Sequence, residues 1–190
     1  MTEHPKRQKQ AKILRIFRKV HRLTGAFLFV FFFIVAISGL LLGWKKHSGD
    51  LLLARSYQGS SSDLSRWLSI DSLHRRAQEL LRDSVSADLS TEVDRIDIRK
   101  EKGMVKFLFV GSFIALQLDG VTGNLLYIEH RRADFIEKIH DGSIVDETAD
   151  TGNGLFKLFY TSIMGLALLV FTITGFWLWY GPKQMRRNSK

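Results

Sequence analysis

The stretch LTGAFLFVFFFIVAISGLLLGW, residues 23–44, decides the fold, together with its counterpart LFYTSIMGLALLVFTITGFWLWY, residues 158–180. Neither contains an Asp, Glu, Lys, Arg or His. About 20 apolar residues rising ~1.5 Å each cover the ~30 Å hydrocarbon core of a bilayer. The reading is a membrane protein with two transmembrane helices flanking a segment long enough to fold by itself.

Charge sets the expected orientation. Residues 1–22 carry eight Lys and Arg against Glu3, a net +7, and the tail 181–190 adds Lys183, Arg186, Arg187 and Lys190 with no acid. Residues 45–154 hold 15 basic and 18 acidic side chains, a net −3. Basic residues accumulate in short cytoplasmic flanks, so both termini are expected inside and residues 45–154 outside, with the chain in a bacterial inner membrane. The net +9 and pI near 9.9 do not point to nucleic acid. The positive charge is juxtamembrane and suits anionic lipid head groups. The first apolar run exceeds the ~7–15-residue core of a cleaved signal peptide, and no small-x-small site follows it, which predicts a retained anchor. With no cysteine in the chain, disulfides, thiolate zinc, iron–sulfur clusters and thioether-linked haem are excluded as intrachain chemistry.

Between and around the spans the pattern changes period. Ile13, Leu14, Ile16, Phe17 and Val20 recur at helical spacing among Lys and Arg. That predicts a basic amphipathic helix over 11–22, lying in the inner interface within a cytoplasmic segment 1–22 and running into the first span. Trp44 closes the first span and Trp177, Trp179 and Tyr180 the second, at depths where amphipathic rings collect. Gly181-Pro182 is expected to stop the second helix. Residues 45–68 read as a polar linker that docks through Leu51, Leu52, Leu53 and Trp67. Ser69 offers a cap for an amphipathic helix over 71–83. Alternating residues predict three or four strands, at 93–99, 104–110, 113–118 and 125–129, separated by turns at Lys102-Gly103, at Gly111-Ser112 and at Asp119-Gly120-Val121-Thr122-Gly123-Asn124. A helix followed by a meander makes residues 69–130 a small α+β domain, with 131–157 connecting it to the second span.

The helix and meander with Leu118-Asp119-Gly120-Val121-Thr122-Gly123-Asn124-Leu125-Leu126 resemble a PepSY domain, and the flanks resemble PepSY-associated transmembrane helices. His21-Arg22-Leu23-Thr24-Gly25 opens the first span as His-Arg-x-x-Gly does in that family. Ile37-Ser38-Gly39 lies near its end. Ile173-Thr174-Gly175-Phe176-Trp177-Leu178-Trp179 resembles the family's Thr-Gly-x-x-x-Trp element, and Ile139-His140-Asp141-Gly142 its Leu-His-x-Gly. The resemblance covers residues 12–183. Two departures accompany it. Larger members, ferric-siderophore reductases among them, have about four spans, and the second span here opens Phe159-Tyr160-Thr161 where those relatives carry a histidine. The chain reads as a compact two-span relative, not as a complete enzyme.

The resemblance implies b-type haem held by imidazoles between helices, and electron transfer towards iron. Of six histidines, His4, His74 and His130 read as surface residues, whereas His21, His47 and His140 lie near membrane boundaries and are the candidate iron ligands. His21 and His47 are 26 residues apart, about 39 Å if helical, so they cannot share one iron whose two nitrogens sit ~4 Å apart. His47 and His140 are both expected outside and converge if 134–140 folds back as a short helix. His21 then serves alone or with a second subunit. A homodimer, or a partner membrane subunit, would rebuild a four-helix bundle, with Gly25, Gly39, Gly165 and Gly175 allowing close approach.

Blander readings stand beside each of these. A boundary histidine ordinarily bonds a head group or backbone. Ser38, Thr172 and Thr174 bond back to their own helices. Phe27, Phe29, Phe31, Phe32 and Phe33 face lipid, and Asp119 forms a turn. Asp141, Asp146, Glu147 and Asp150 make a solvated acidic patch or, on the haem reading, a guide for a ferric chelate. No glycine-rich nucleotide fingerprint, Walker loop or nucleophile–base arrangement is present, so flavin or nicotinamide chemistry would come from another protein. The competing function is a membrane-tethered PepSY module that binds or regulates a partner such as a peptidase without cofactor. A third is a cofactor-free accessory of iron uptake.

Overall fold

The computed structural model describes residues 3–149 and 153–187, with side chains from residue 8. The His4 side chain and Asp150 lie outside that set. Two bodies result, a helix pair within Met1–Gly39 and Ile139–Lys190, and a sheet domain within Leu40–Lys138.

The helix pair is built from α1 (Glu3–Trp44) and α5 (Leu155–Arg187). Both are long and apolar enough to cross a membrane, with mean hydropathies of 2.7 and 1.8 in their most apolar windows. Phe27 is 80% exposed and Leu166 67% exposed. Outward-facing apolar side chains along the whole of two long helices are what a hydrocarbon surround accommodates.

α1 is one unbroken helix, and the amphipathic stretch 11–22 runs into the first span within it, as its sequence predicts. Two of its apolar side chains pack on α5: Leu14 lies on Gly181, and Phe17 lies 6.1 Å from Trp177, ring centre to ring centre. Ile16 and Val20 are exposed. One boundary differs from the sequence reading: Pro182 does not stop α5, which continues to Arg187. The residue before a proline normally clashes through its Cβ. Here that residue is Gly181, and Leu14 covers it.

Two short helices lead into α5, namely α3 (Arg132–Asp141) and α4 (Ser143–Thr148). Gly142 joins them at φ +78°, and its α-carbon faces the Tyr160 ring so closely that a Cβ would sit 2.8 Å from it. The Asp146 carboxylate accepts from the backbone N–H of Phe156 (3.1 Å) and Lys157 (2.8 Å). It thereby satisfies donors that the first turn of α5 leaves open. Asp141 pairs with Lys157 at 2.5 Å. The predicted acidic patch is therefore partly consumed as structure.

In the sheet domain, Ser69 caps α2 (Ile70–Ser84) by accepting from the Ser72 N–H at 3.1 Å. Strands β1 (Val93–Arg99), β2 (Met104–Phe109), β3 (Ile114–Asp119) and β4 (Leu125–His130) form an antiparallel meander in sequence order. Each lies within a residue of its predicted bounds. Period-2 alternation puts Val105, Phe107, Phe109, Leu116 and Leu118 on one face, where Leu73, Ala77 and Leu81 of α2 bury them.

The other face is covered by the linker. Gln117 donates to the Arg55 carbonyl and to Glu129 (2.9 Å each) and accepts from the Tyr57 N–H at 3.0 Å, while Lys106 pairs with Glu129 at 2.6 Å. Lys106, Gln117 and Glu129 are all buried, and each finds its partners, as a buried polar network requires. Two glycine crossings let the linker approach. A Cβ on Gly59 would fall 2.1 Å from the Gly103 carbonyl oxygen, and one on Gly120 would meet the Trp67 ring at 2.4 Å.

Asp119 is the turn former its sequence suggested. One carboxylate oxygen accepts from the N–H of Val121 (2.7 Å) and Thr122 (3.2 Å), the other from the Ser60 N–H (2.9 Å) and the Ser60 hydroxyl. Burial opposes its ionisation, but the donors of Ser60, Val121 and Thr122 outweigh burial and hold the carboxyl below its ordinary pKa. A carboxylate depressed in the fold stabilises it above the unfolded value near 3.9, and that contribution disappears as pH falls through the folded value.

Phe107→Ala is expected to cost about 3–5 kcal/mol, and exposed Ile98→Ala about 0.5 kcal/mol or less, read from hydrogen exchange of β2 and β3 amides. Asp119→Asn is expected to cost about 1–3 kcal/mol at neutral pH, since an amide cannot accept at both oxygens. The same exchange measurement should show this difference shrinking as pH falls below about 3.9 and through the lower value of the folded Asp119 carboxyl.

Candidate functional site

Each span carries a hydroxyl residue followed by glycine, Ser38-Gly39 in α1 and Thr174-Gly175 in α5. The helix pair sets one imidazole against each. His140, in the last turn of α3, has its Nδ1 2.8 Å from Ser38 Oγ. Its Cε1 lies so close to Gly39 that an added Cβ would stand 3.3 Å away. His21 of α1 repeats this at the other end, with Nδ1 2.9 Å from Thr174 Oγ1 and Cε1 3.3 Å from the Cβ position of Gly175. Phe171 stacks on the His21 ring at 3.9 Å and 24°, and itself fits against Gly25.

Both hydroxyls also bond back to their own helices. Ser38 donates to the Ile34 carbonyl at 2.6 Å and Thr174 to the Val170 carbonyl at 2.7 Å. Ser38 is 5% exposed and Thr174 6%, so these contacts sit inside the helix pair. The back-bonding expected of Ser38, Thr172 and Thr174 is present in all three. The partnership of Ser38 and Thr174 with histidine is the part that local reasoning missed.

Between α1 and α5 runs a groove of about 500 Å³, lined by Phe32, Val35, Met164, Leu168 and Phe171, with His140 on its wall. That volume lies within the ~300–1,000 Å³ range of cofactor sites, and the lining is overwhelmingly apolar, as those sites are. Among the described residues no hydrogen bond is made to Nε2 of His21 or His140. Donor type, an unengaged ring nitrogen and an apolar groove fit a haem whose iron takes an imidazole.

The two histidines do not meet. Ser38 is 17 residues beyond His21 on the same helix, about 25 Å along its axis. They mark opposite ends of the pair and cannot ligate one iron. His47 stands exposed in the 3-10 turn Lys45–His47 with no hydrogen bond or ring contact among the described residues. His130 is exposed, as expected. His74 is not an ordinary surface residue. It is half-buried and parallel to Phe107 (6.3 Å, 11°), with Nε2 buried and unpartnered.

Three of the four glycines expected to receive a second copy are filled from within the chain: Gly25 by Phe171, Gly39 by His140 and Gly175 by His21. Gly165 alone of the four has open space beside it. The outward phenylalanines divide as well. Phe27, Phe29, Phe31 and Phe33 are exposed, whereas Phe32 turns in to Phe171 at 5.7 Å.

A double-mutant cycle on Ser38→Ala and His140→Ala is expected to show a coupling of about 0.5–1.7 kcal/mol in unfolding from detergent, and likewise Thr174→Val with His21→Ala. Ser38→Ala combined with His21→Ala should be additive within about 0.5 kcal/mol, because those sites are far apart.

No curated protein and no solved structure matches the chain. A family model described as the PepSY-associated TM region matches residues 18–190, nearly the whole sequence. The chain thus belongs to the PepSY_TM family, a family of membrane proteins, and its two membrane helices flank an antiparallel sheet domain.

Proposed function

We propose that this chain is a b-type haem-binding electron-transfer component of a bacterial inner membrane, linked to reduction or uptake of ferric iron and its chelates. The observation that carries the proposal is the paired arrangement of His140 and His21. Each is held through Nδ1 by a helix hydroxyl, with Nε2 unengaged, and His140 opens onto the apolar groove.

When bound, haem supplies reversible one-electron chemistry at iron. The residues of the chain do the rest. His140 and His21 offer ligating nitrogens near opposite ends of the helix pair, and Gly39 and Gly175 let the rings approach the helices. Phe32, Val35, Leu168 and Phe171 exclude water from the groove. Since the two histidines are about 25 Å apart, each iron would take one imidazole from this chain, and a second copy or a partner membrane subunit would complete its coordination. Gly165 and the groove beside it are the surface such a partner would meet. The charge distribution supports both termini on the cytoplasmic side and the sheet domain outside.

A reduced-minus-oxidised absorption spectrum of the purified chain in detergent is expected to show a Soret shift and a sharp α band. His21→Ala and His140→Ala should each lower haem content, and exposed His130→Ala should leave it unchanged. Absence of haem after expression with ample haem supply would sink the proposal. For topology, alkaline phosphatase fused within the Gly120 turn should be active, and fused after Lys190 inactive.

A further inference from the structure

We infer that Ser38 and Thr174 are positioning residues that lock His140 and His21 in the Nδ1–H tautomer and so present Nε2 of each ring as a bare lone pair. A hydroxyl carries one hydrogen and can accept at its lone pairs. Ser38 Oγ lies 2.6 Å from the Ile34 carbonyl oxygen, and Thr174 Oγ1 lies 2.7 Å from that of Val170. A carbonyl oxygen has no hydrogen to give, so each hydroxyl proton must point to its own helix. The alternative, donation to the histidine, would leave two oxygens facing each other at that distance with no hydrogen between them. The remaining contacts, 2.8 Å to His140 Nδ1 and 2.9 Å to His21 Nδ1, are then hydrogen bonds only if the imidazole nitrogen donates.

The same solution occurs twice, on different helices and with different hydroxyl residues. Its other half is the glycine that follows. An alanine Cβ at Gly39 or Gly175 would reach 3.3 Å from Cε1, the ring carbon between the two nitrogens, closer than an ordinary van der Waals contact, so glycine is what lets the ring lie this near the helix. Back-bonding by Ser or Thr in a membrane helix is ordinary. Here it has a consequence for a second residue, since it disposes of the only proton that could have gone to the imidazole. A hydrogen bond at one ring nitrogen fixes which nitrogen is left to ligate, and loss of such a partner typically costs about 10–100-fold in metal affinity.

The tautomer assignment stands on the chain alone, and its use towards iron rests on the proposed haem reading, so the experiment has two arms. In the first, the full chain labelled with ¹⁵N-histidine is studied in detergent by two-bond ¹H–¹⁵N correlation, with signals assigned through His21→Gln and His140→Gln. Both residues are expected as Nδ1–H, with Nε2 unprotonated. Ser38→Ala should disturb the His140 pattern and leave that of His21 intact, which also shows that the helix pair still forms. Thr174→Val should do the reverse, and Ser38→Thr and Thr174→Ser should restore each pattern. An Nε2–H or doubly protonated ring in the unaltered chain, or patterns indifferent to the hydroxyls, overturns the inference. In the second arm haem b is titrated into the same proteins. Ser38→Ala and Thr174→Val are expected to weaken binding by about 10–100-fold, with recovery in the hydroxyl-retaining variants. Failure of the unaltered chain to bind haem, with the expected tautomers in place, removes the haem reading and upholds the tautomer assignment. Haem binding with Nε2–H rings does the opposite.

Discussion

Two imidazole–hydroxyl hydrogen bonds, His140 of α3 to Ser38 of α1 and His21 of α1 to Thr174 of α5, are the polar contacts that fix how these helices register. Two apolar helices in hydrocarbon gain nothing from hiding apolar surface from each other, because the lipid is equally apolar. Their register must come from close packing and from polar groups with few alternative partners. Here both act at the same places. Each imidazole bonds a hydroxyl and rests on the glycine beside it, so a helix shifted by one turn would lose the bond and meet side chains instead of glycine. Leu14 on Gly181 and Phe171 on Gly25 apply the same constraint with apolar residues.

This arrangement alters what the histidines are available for. A histidine at a membrane edge ordinarily bonds a head group or the backbone. His21 and His140 instead have one nitrogen committed inside the protein and the other without a hydrogen bond among the described residues, and His140 borders an apolar groove. His47 lacks any such support. The difference lies in the surroundings, since all three share the residue type and the proximity to a span boundary.

The sheet domain obeys a different solvent and shows it. One face is closed by apolar contact with α2, the other by a buried polar network under residues 55–60. The linker therefore completes the sheet domain as its second cover. Trp67 on Gly120 and Asp119 with Ser60 anchor it at one end of the sheet, and stacking of Tyr57 on Tyr127 at 4.8 Å anchors it further along.

Local chemistry was enough for much of this. Twenty-odd consecutive apolar residues without a charge are long enough to cross a bilayer, so the spans were legible, and alternation with turn residues placed the strands within a residue. Ser38-Gly39, Thr174-Gly175, His21 and His140 were each visible as short motifs. Their pairing was not, because Ser38 and His140 are 102 residues apart and His21 and Thr174 153. The glycines read as contacts for a second copy belong largely to the chain's own rings for the same reason. Sequence determined which segments meet lipid and which meet water, because solvent acts on each residue separately. Which imidazole rests on which hydroxyl is a property of the packed helices, and only the tertiary structure decided it.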